Sequence, residues 1–225
     1  AATALYGSRA ASGVVMITTK TGKKNKGLGI EYNGGLQWST ILRLPEFQNE
    51  FGMGWNGDHT ELENGSWGPR FDGSMQLWGN KYENSQKLKP YSPIKNNIKD
   101  FFDAGFRYNN SVSFNGATDK SEYYVSFSQI SDDGMIPTDA DSYDKYTFSA
   151  RGSHKVKALT FSSSLNYSYQ KNKFATTGQG LTMLNSLYQT PRDVSIISLQ
   201  DQNDIFNSPG YFYTPYGVMN PYYIL

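Results

Sequence analysis

Within residues 39–105, Trp55, Trp67, Phe71, Trp78 and Tyr91 lie among Asp58, Glu61, Glu63, Arg70 and Asp72. That combination suits the holding of a polar oligomer. An aromatic face stacks on the apolar C–H face of a sugar ring, while carboxylates or an Arg fork hydrogen-bond the hydroxyls or amides beside it. Trp55, Trp67, Arg70, Asp72 and Trp78 are therefore candidates for contacting a glycan or a peptide. A competing reading makes the same aromatics a small core of the segment itself, with Trp67 packed on Trp78 and Trp67-Gly68 fixing a turn. It is the preferred one here.

Other constellations carry less. Gly52-Met53-Gly54-Trp55-Asn56-Gly57 matches GxGxxG, but no strand precedes it and no helix follows it, so nucleotide binding is rejected. Asp139, Asp141 and Asp144 offer oxygen ligands for calcium, yet their spacing is not that of an EF-hand, and solvation of an acidic loop is preferred. His59 and His154 are isolated, so neither a metal site nor a catalytic pair can be built from them. Asn64-Gly65-Ser66 is a glycosylation sequon, irrelevant if the host is bacterial. Ser, His and Asp occur, but no nucleophile elbow or triad phrase does. No cofactor and no catalytic residue are expected. Cysteine is absent, which removes disulfides and zinc-cysteine sites. The net charge of +1 gives no electrostatic case for nucleic acid.

The elements that position these residues show in the alternation of side chains. Hydrophobic content is 37%, and no window approaches the ~18 apolar residues of a membrane helix. Over residues 28–38, Leu28, Ile30, Tyr32, Leu36 and Trp38 share one face with Gly34. Gly29, Glu31, Asn33, Gly35 and Gln37 share the other. This is a period-2 strand of the length a tilted outer-membrane strand needs. Four more strands are expected at residues 106–117, 121–131, 145–153 and 159–170. In the last, Leu159, Phe161, Leu165, Tyr167 and Tyr169 oppose Thr160, Ser162, Ser164, Asn166, Ser168 and Gln170.

The connections alternate long, short, medium, short, long, which is the pattern of a transmembrane β-barrel. Glu31, Arg107 and Arg151 fall on the polar parity, and no charge sits mid-strand on the apolar parity. A lipid-facing Arg or Lys at mid-bilayer would cost about 2–4 kcal/mol. A β-sandwich with one wet face is the alternative, and its strands average only about 5–6 residues. Five strands with two open edges are not viable in lipid, so further strands are expected in a longer parent chain. Residues 94–102 hold the one convincing helical turn of the long connection, with Ile94, Ile98, Phe101 and Phe102 in register. Residues 176–225 are placed only as a loop.

The first twenty residues, AATALYGSRAASGVVMITTK, carry Tyr6-Gly7-Ser8-Arg9, then Gly13, then a β-branched run ending at Lys20. This stretch resembles the end of the plug domain of TonB-dependent outer-membrane transporters, and its wording is closest to the SusC/RagA branch. Ser66-Trp67-Gly68-Pro69-Arg70-Phe71-Asp72-Gly73, residues 96–105 and Asp133-Gly134-Met135-Ile136-Pro137 also resemble phrases of that branch. The resemblance implies an all-β fold: an antiparallel transmembrane barrel of about 22 strands around a plug, with five strands here.

Residues 1–20 would end the plug, 21–27 would link, and 28–225 would begin the barrel. Loops 39–105, 132–144 and 171–225 would then be extracellular, and turns 118–120 and 154–157 periplasmic. Arg9 would reach Glu31 and tie the plug to the wall. The resemblance further implies residence among outer-membrane lipid and import of an oligosaccharide or peptide. It implies two partners, a SusD-like surface lipoprotein and TonB, the latter acting through plug residues outside this chain. It implies no enzyme chemistry. A surface module that binds glycan or peptide without transport, and a siderophore- or vitamin-type receptor, are the alternatives.

Overall fold

A computed structural model describes residues 7, 14–15, 19–22 and 29–225. Five strands form one antiparallel sheet: β1 (Gly29–Ser39), β4 (Gly105–Ala117), β5 (Ser121–Asp132), β6 (Tyr143–Val156) and β7 (Leu159–Asn172), in the order β1-β4-β5-β6-β7. These are the five strands the alternation predicts, at 11 to 14 residues each. One boundary is corrected. β6 runs on to Val156, so His154 is a strand residue and the turn is Lys157-Ala158. No described helix is long and apolar enough to cross a membrane, which says nothing of strands that cross.

The chain divides into two compact units. The first comprises Ala1–Asn33, Asn110–Gln129 and Tyr146–Tyr169. Its apolar rows face outward: Ile30, Tyr32, Phe161, Leu165 and Tyr167 are each 58–66% exposed. Phe127 stacks near Tyr146, and Tyr146 near Tyr169, at centroid distances of 6.4 and 6.5 Å, so one aromatic row crosses three strands. The opposite face is polar and internally bonded. Ser153 Oγ donates to Glu122 at 3.1 Å, and Arg151 reaches Asn166 Oδ1 at 3.5 Å. Exposed apolar rows of this extent call for an apolar neighbour.

The second unit comprises Gly34–Asn109, Ile130–Lys145 and Gln170–Leu225. Within it, residues 39–105 are not the irregular loop expected. They contain an antiparallel hairpin, β2 (Met75–Tyr82) and β3 (Ser85–Pro90). The predicted helical turn is present as a 3-10 turn over Lys99–Phe101. Residues 171–225 are also structured. They carry α1 (Met183–Tyr188), capped by Thr182, and α2 (Pro221–Ile224), capped by Asn220 with Pro221 at its first position.

The two long connections build one core. Met53, Trp78, Tyr91 and Phe101 come from the first, and Met183, Leu187, Ile196, Phe212 and Tyr213 from the second. Regular structure is sparse, so buried asparagines satisfy the backbone instead. Asn97 donates to Val194 O at 2.7 Å and accepts from Ile196 N at 3.0 Å. Asn207 donates to Ser198 O and Asp201 O, and Asn220 to Leu199 O and Asn207 O. Lys89 forms an ion pair with the fully buried Asp193 beside the Trp78 ring, and Asp193 also accepts from Met53 N at 2.8 Å. Burial pulls the Lys89 ammonium below its ordinary value, and Asp193 opposes that pull.

Candidate functional site

A cavity of about 710 Å³ opens in the second unit, walled by Phe47, Phe51, Trp67 and Tyr188. Phe47 and Tyr188 pack at 5.8 Å. Phe51 bridges to Arg70 through the backbone, and the Arg70 guanidinium lies 5.0 Å over the Phe51 ring. Arg70 also pairs with Glu50, another wall residue, at 2.9 Å. Both partners of that pair are well exposed, so it contributes orientation more than stability.

Arg192 closes the inner side. It is 8% exposed and held in place: Nε donates to Gln48 O at 3.1 Å, Nη2 to Asn49 Oδ1 at 2.9 Å, and its charge lies over Phe47. Asn64 donates to Gln189 Oε1 and to Tyr216 O. The polar groups of the rim are thus held in place by one another around an aromatic floor. Aromatic faces in such an arrangement can stack on a flat apolar surface.

The sequence candidates separate here. Trp67 is 70% exposed on the wall of the cavity. Arg70 joins it through Phe51 and Glu50. Trp55 is exposed and does not line the cavity. Asp72 turns to its own loop and accepts from Ser74 Oγ at 2.7 Å and Ser74 N at 2.9 Å. Those hydrogen bonds, the side-chain one first, hold its carboxyl below the ordinary range. Trp78 is 5% exposed and packs on Tyr213 at 5.6 Å. The preferred reading of these aromatics as one small core is therefore corrected. Trp78 and Tyr91 are core, and Phe71 packs on Tyr91 at 5.0 Å, but Trp67 does not join them. The buried partner of Trp78 comes from the other long connection.

Phe47, Phe51, Tyr188, Gln189 and Arg192 were not among the candidates. The alternation of Phe51 with Arg70 across a bridge leaves no sequence signal, and Tyr188 and Arg192 lie more than 120 positions from Trp67 in the least patterned stretch. The glycines of the GxGxxG match serve packing. A side chain on Gly52 would run into the Phe71 and Tyr91 rings, and Gly54 holds φ 144° against Asp58. His59 sets its two ring nitrogens 3.1 Å from Met53 O and 3.0 Å from Leu77 O.

Among the described residues no group of three His, Cys, Asp or Glu side chains is placed to hold a metal. Asp141, expected to be a solvated loop acid, instead caps its loop, accepting from Met135 N and Ile136 N at 3.0 and 2.8 Å. Asp144 accepts from Ser131 Oγ at 2.6 Å.

Residues 1–20, expected to end a plug, lie mostly outside the described residues, and so does Arg9. Glu31 takes Lys20 at 3.1 Å. The hydrogen bond to Glu31 and its charge raise the Lys20 ammonium. Arg151 Nη1 donates to the Lys20 carbonyl at 3.5 Å.

The fold and the face pattern define a class: an all-β chain with one apolar and one polar sheet face. No family model matches it. It is similar to the TonB-dependent receptor SusC of Bacteroides thetaiotaomicron, 25% identical over 182 residues, which cover 80% of this chain and 16% of that receptor. The chain thus spans about one sixth of the length of the curated relative it matches. The likeness is to a TonB-dependent receptor.

Proposed function

We propose that this chain is the first part of the barrel wall, with three of its outer loops, of a SusC/RagA-like importer in a bacterial outer membrane. In this reading the parent protein takes up an oligosaccharide or a peptide without enzyme chemistry. A SusD-like surface lipoprotein delivers the substrate to the loops, and TonB acts on the plug. One observation carries the reading. Five long strands present an exposed apolar row on one parity, and keep Glu31, Arg107 and Arg151 on the other. The likeness to SusC over most of the chain supports it.

The aromatic cavity of the second unit is the ligand contact we infer. Trp67 and Phe51 offer stacking faces, and Glu50, Arg70 and Gln189 offer polar partners at the rim. Titration of the purified parent protein with a panel of oligosaccharides and peptides tests this. Trp67→Ala is expected to weaken binding of the true ligand by about tenfold, the loss of a stacking contact worth ~1–1.5 kcal/mol. Unchanged affinity for every ligand that the wild type binds would remove the cavity from the account.

A further inference from the structure

Arg192 is a buried cation without a counter-charge. It is 8% exposed, and no described carboxylate forms an ion pair with it. Two acids close to it are taken. Asp193, its neighbour in sequence, pairs with Lys89, and Glu50, on the cavity wall, pairs with Arg70. Burial draws the Arg192 guanidinium below its ordinary value. Neutral hydrogen bonds offset only part of the cost of taking such a charge out of water.

Its donors are unevenly used. Nε donates to Gln48 O, and Nη2 to Asn49 Oδ1 and Ile94 O at 2.9 and 3.4 Å. Nη1 has no partner among the described residues. It is not sealed in either: among the described residues, the enclosed side-chain atom left without a partner is the Tyr213 hydroxyl oxygen. Arg192 lines the aromatic cavity and also a second cavity of about 310 Å³, and the two share Phe47 as a wall. Lys95 and Lys99 line the second cavity, exposed and without an ion pair to a described residue, and no described Asp or Glu lines it. The two N–H groups of Nη1 are thus left for a ligand, beside a cavity whose charged wall residues are all cations.

We propose that the oligomer held by the aromatic cavity is anionic, and that its carboxylate pairs with Arg192 through Nη1 while its apolar face stacks within the cavity. This rests on the reading of that cavity as the ligand contact. The carboxylate comes from a uronic acid of a glycan or from the C-terminus of a peptide, and a guanidinium recognises both alike. Lys95 and Lys99 add to the positive potential that draws such a ligand in.

The purified parent protein is titrated with matched probes. These are oligopeptides as free acids and as C-terminal amides, and uronic-acid oligosaccharides with their carboxyl-reduced forms. The acid of one pair is expected to bind at least about tenfold tighter than its neutral partner, and the pair that shows this names the source. Arg192→Gln should abolish the preference, and where that variant does not fold, the matched pairs on the wild type decide alone. Equal affinity of acid and neutral partner in every pair that binds, with Trp67→Ala weakening both, overturns the proposal and leaves the cavity reading standing. A folded Arg192→Gln protein that keeps the full preference also overturns it. If no probe binds, or if Trp67→Ala leaves all binding unchanged, the cavity reading falls and the proposal with it.

Discussion

The hydroxyl of Tyr32 on β1 donates a 2.6 Å hydrogen bond to Asn110 Oδ1 on β4. Asn110 is a polar residue in a row that otherwise reads Phe106, Tyr108, Val112 and Phe114. An amide on a lipid-facing row has no water to turn to, so its carbonyl needs a partner from the protein. Tyr32 supplies it while keeping its ring on the row. Tyr32→Phe is expected to lower the stability of the vesicle-folded protein by about 1–3 kcal/mol. Adding Asn110→Val should recover most of the loss. Urea unfolding in lipid vesicles measures both, and a Tyr32→Phe protein as stable as wild type would mean the row meets water.

The two faces of β5 should respond oppositely to charge. Val125 lies on the apolar parity and Ser126 on the polar one. Val125→Arg should cost about 2–4 kcal/mol near mid-bilayer. Ser126→Arg should stay within about 0.5 kcal/mol. The same unfolding assay reads the contrast, and equal costs would speak against a lipid-facing row.

Trp67 and Trp78 lie 11 positions apart in one connection and have different roles. Trp78→Ala removes a buried ring packed at a tilt against Tyr213 and is expected to cost about 3–5 kcal/mol, with the connections becoming sensitive to protease. Trp67→Ala removes an exposed ring and should leave protease resistance unchanged. Limited proteolysis of intact cells or purified protein separates the two.

The loop unit should loosen in alkali. Burial foremost, then the charge of Asp193, pushes the Tyr91 hydroxyl up to about 12. Burial foremost, then Asp103, does the same for Tyr222, also up to about 12. Burial raises Tyr213 further. A tyrosine whose folded value lies above its unfolded value of about 10 keeps its proton longer in the native state. Its contribution is therefore whole below pH ~10 and lost as the pH rises toward about 12. Protease sensitivity of the connections should increase over that window together with tyrosinate absorbance. Loosening confined to below pH 9 would contradict this assignment.

The five long strands were legible because a period of two with strong contrast survives reading: β7 sets Leu, Phe and Tyr against Thr, Ser and Asn almost without exception. The β2–β3 hairpin was not. Gly79 at φ 77° shifts its register, and Trp78 is buried while its neighbour Leu77 is exposed, so no clean alternation remains. α1 has only six residues, too few for a helical period to show. The order of residues 176–225 rests on asparagine bonds such as Asn97 to Val194 and Ile196, which join positions about a hundred apart and leave no local signature. Of the site candidates, Trp67 lies on the wall of the cavity and Arg70 beside it through Phe51 and Glu50. Residue type could not tell Trp67 from Trp78, because the burial of Trp78 is decided by Tyr213.

The central claim is import, and uptake tests it most directly. A strain lacking the parent protein is supplied with labelled oligosaccharides and peptides, and entry into the cell is compared with that of the wild type and of the complemented strain. The account predicts that uptake of one oligomer class is lost on deletion and restored by the wild-type gene. Unchanged uptake of every oligomer, from a protein verified to be present in the wild-type outer membrane, would contradict it.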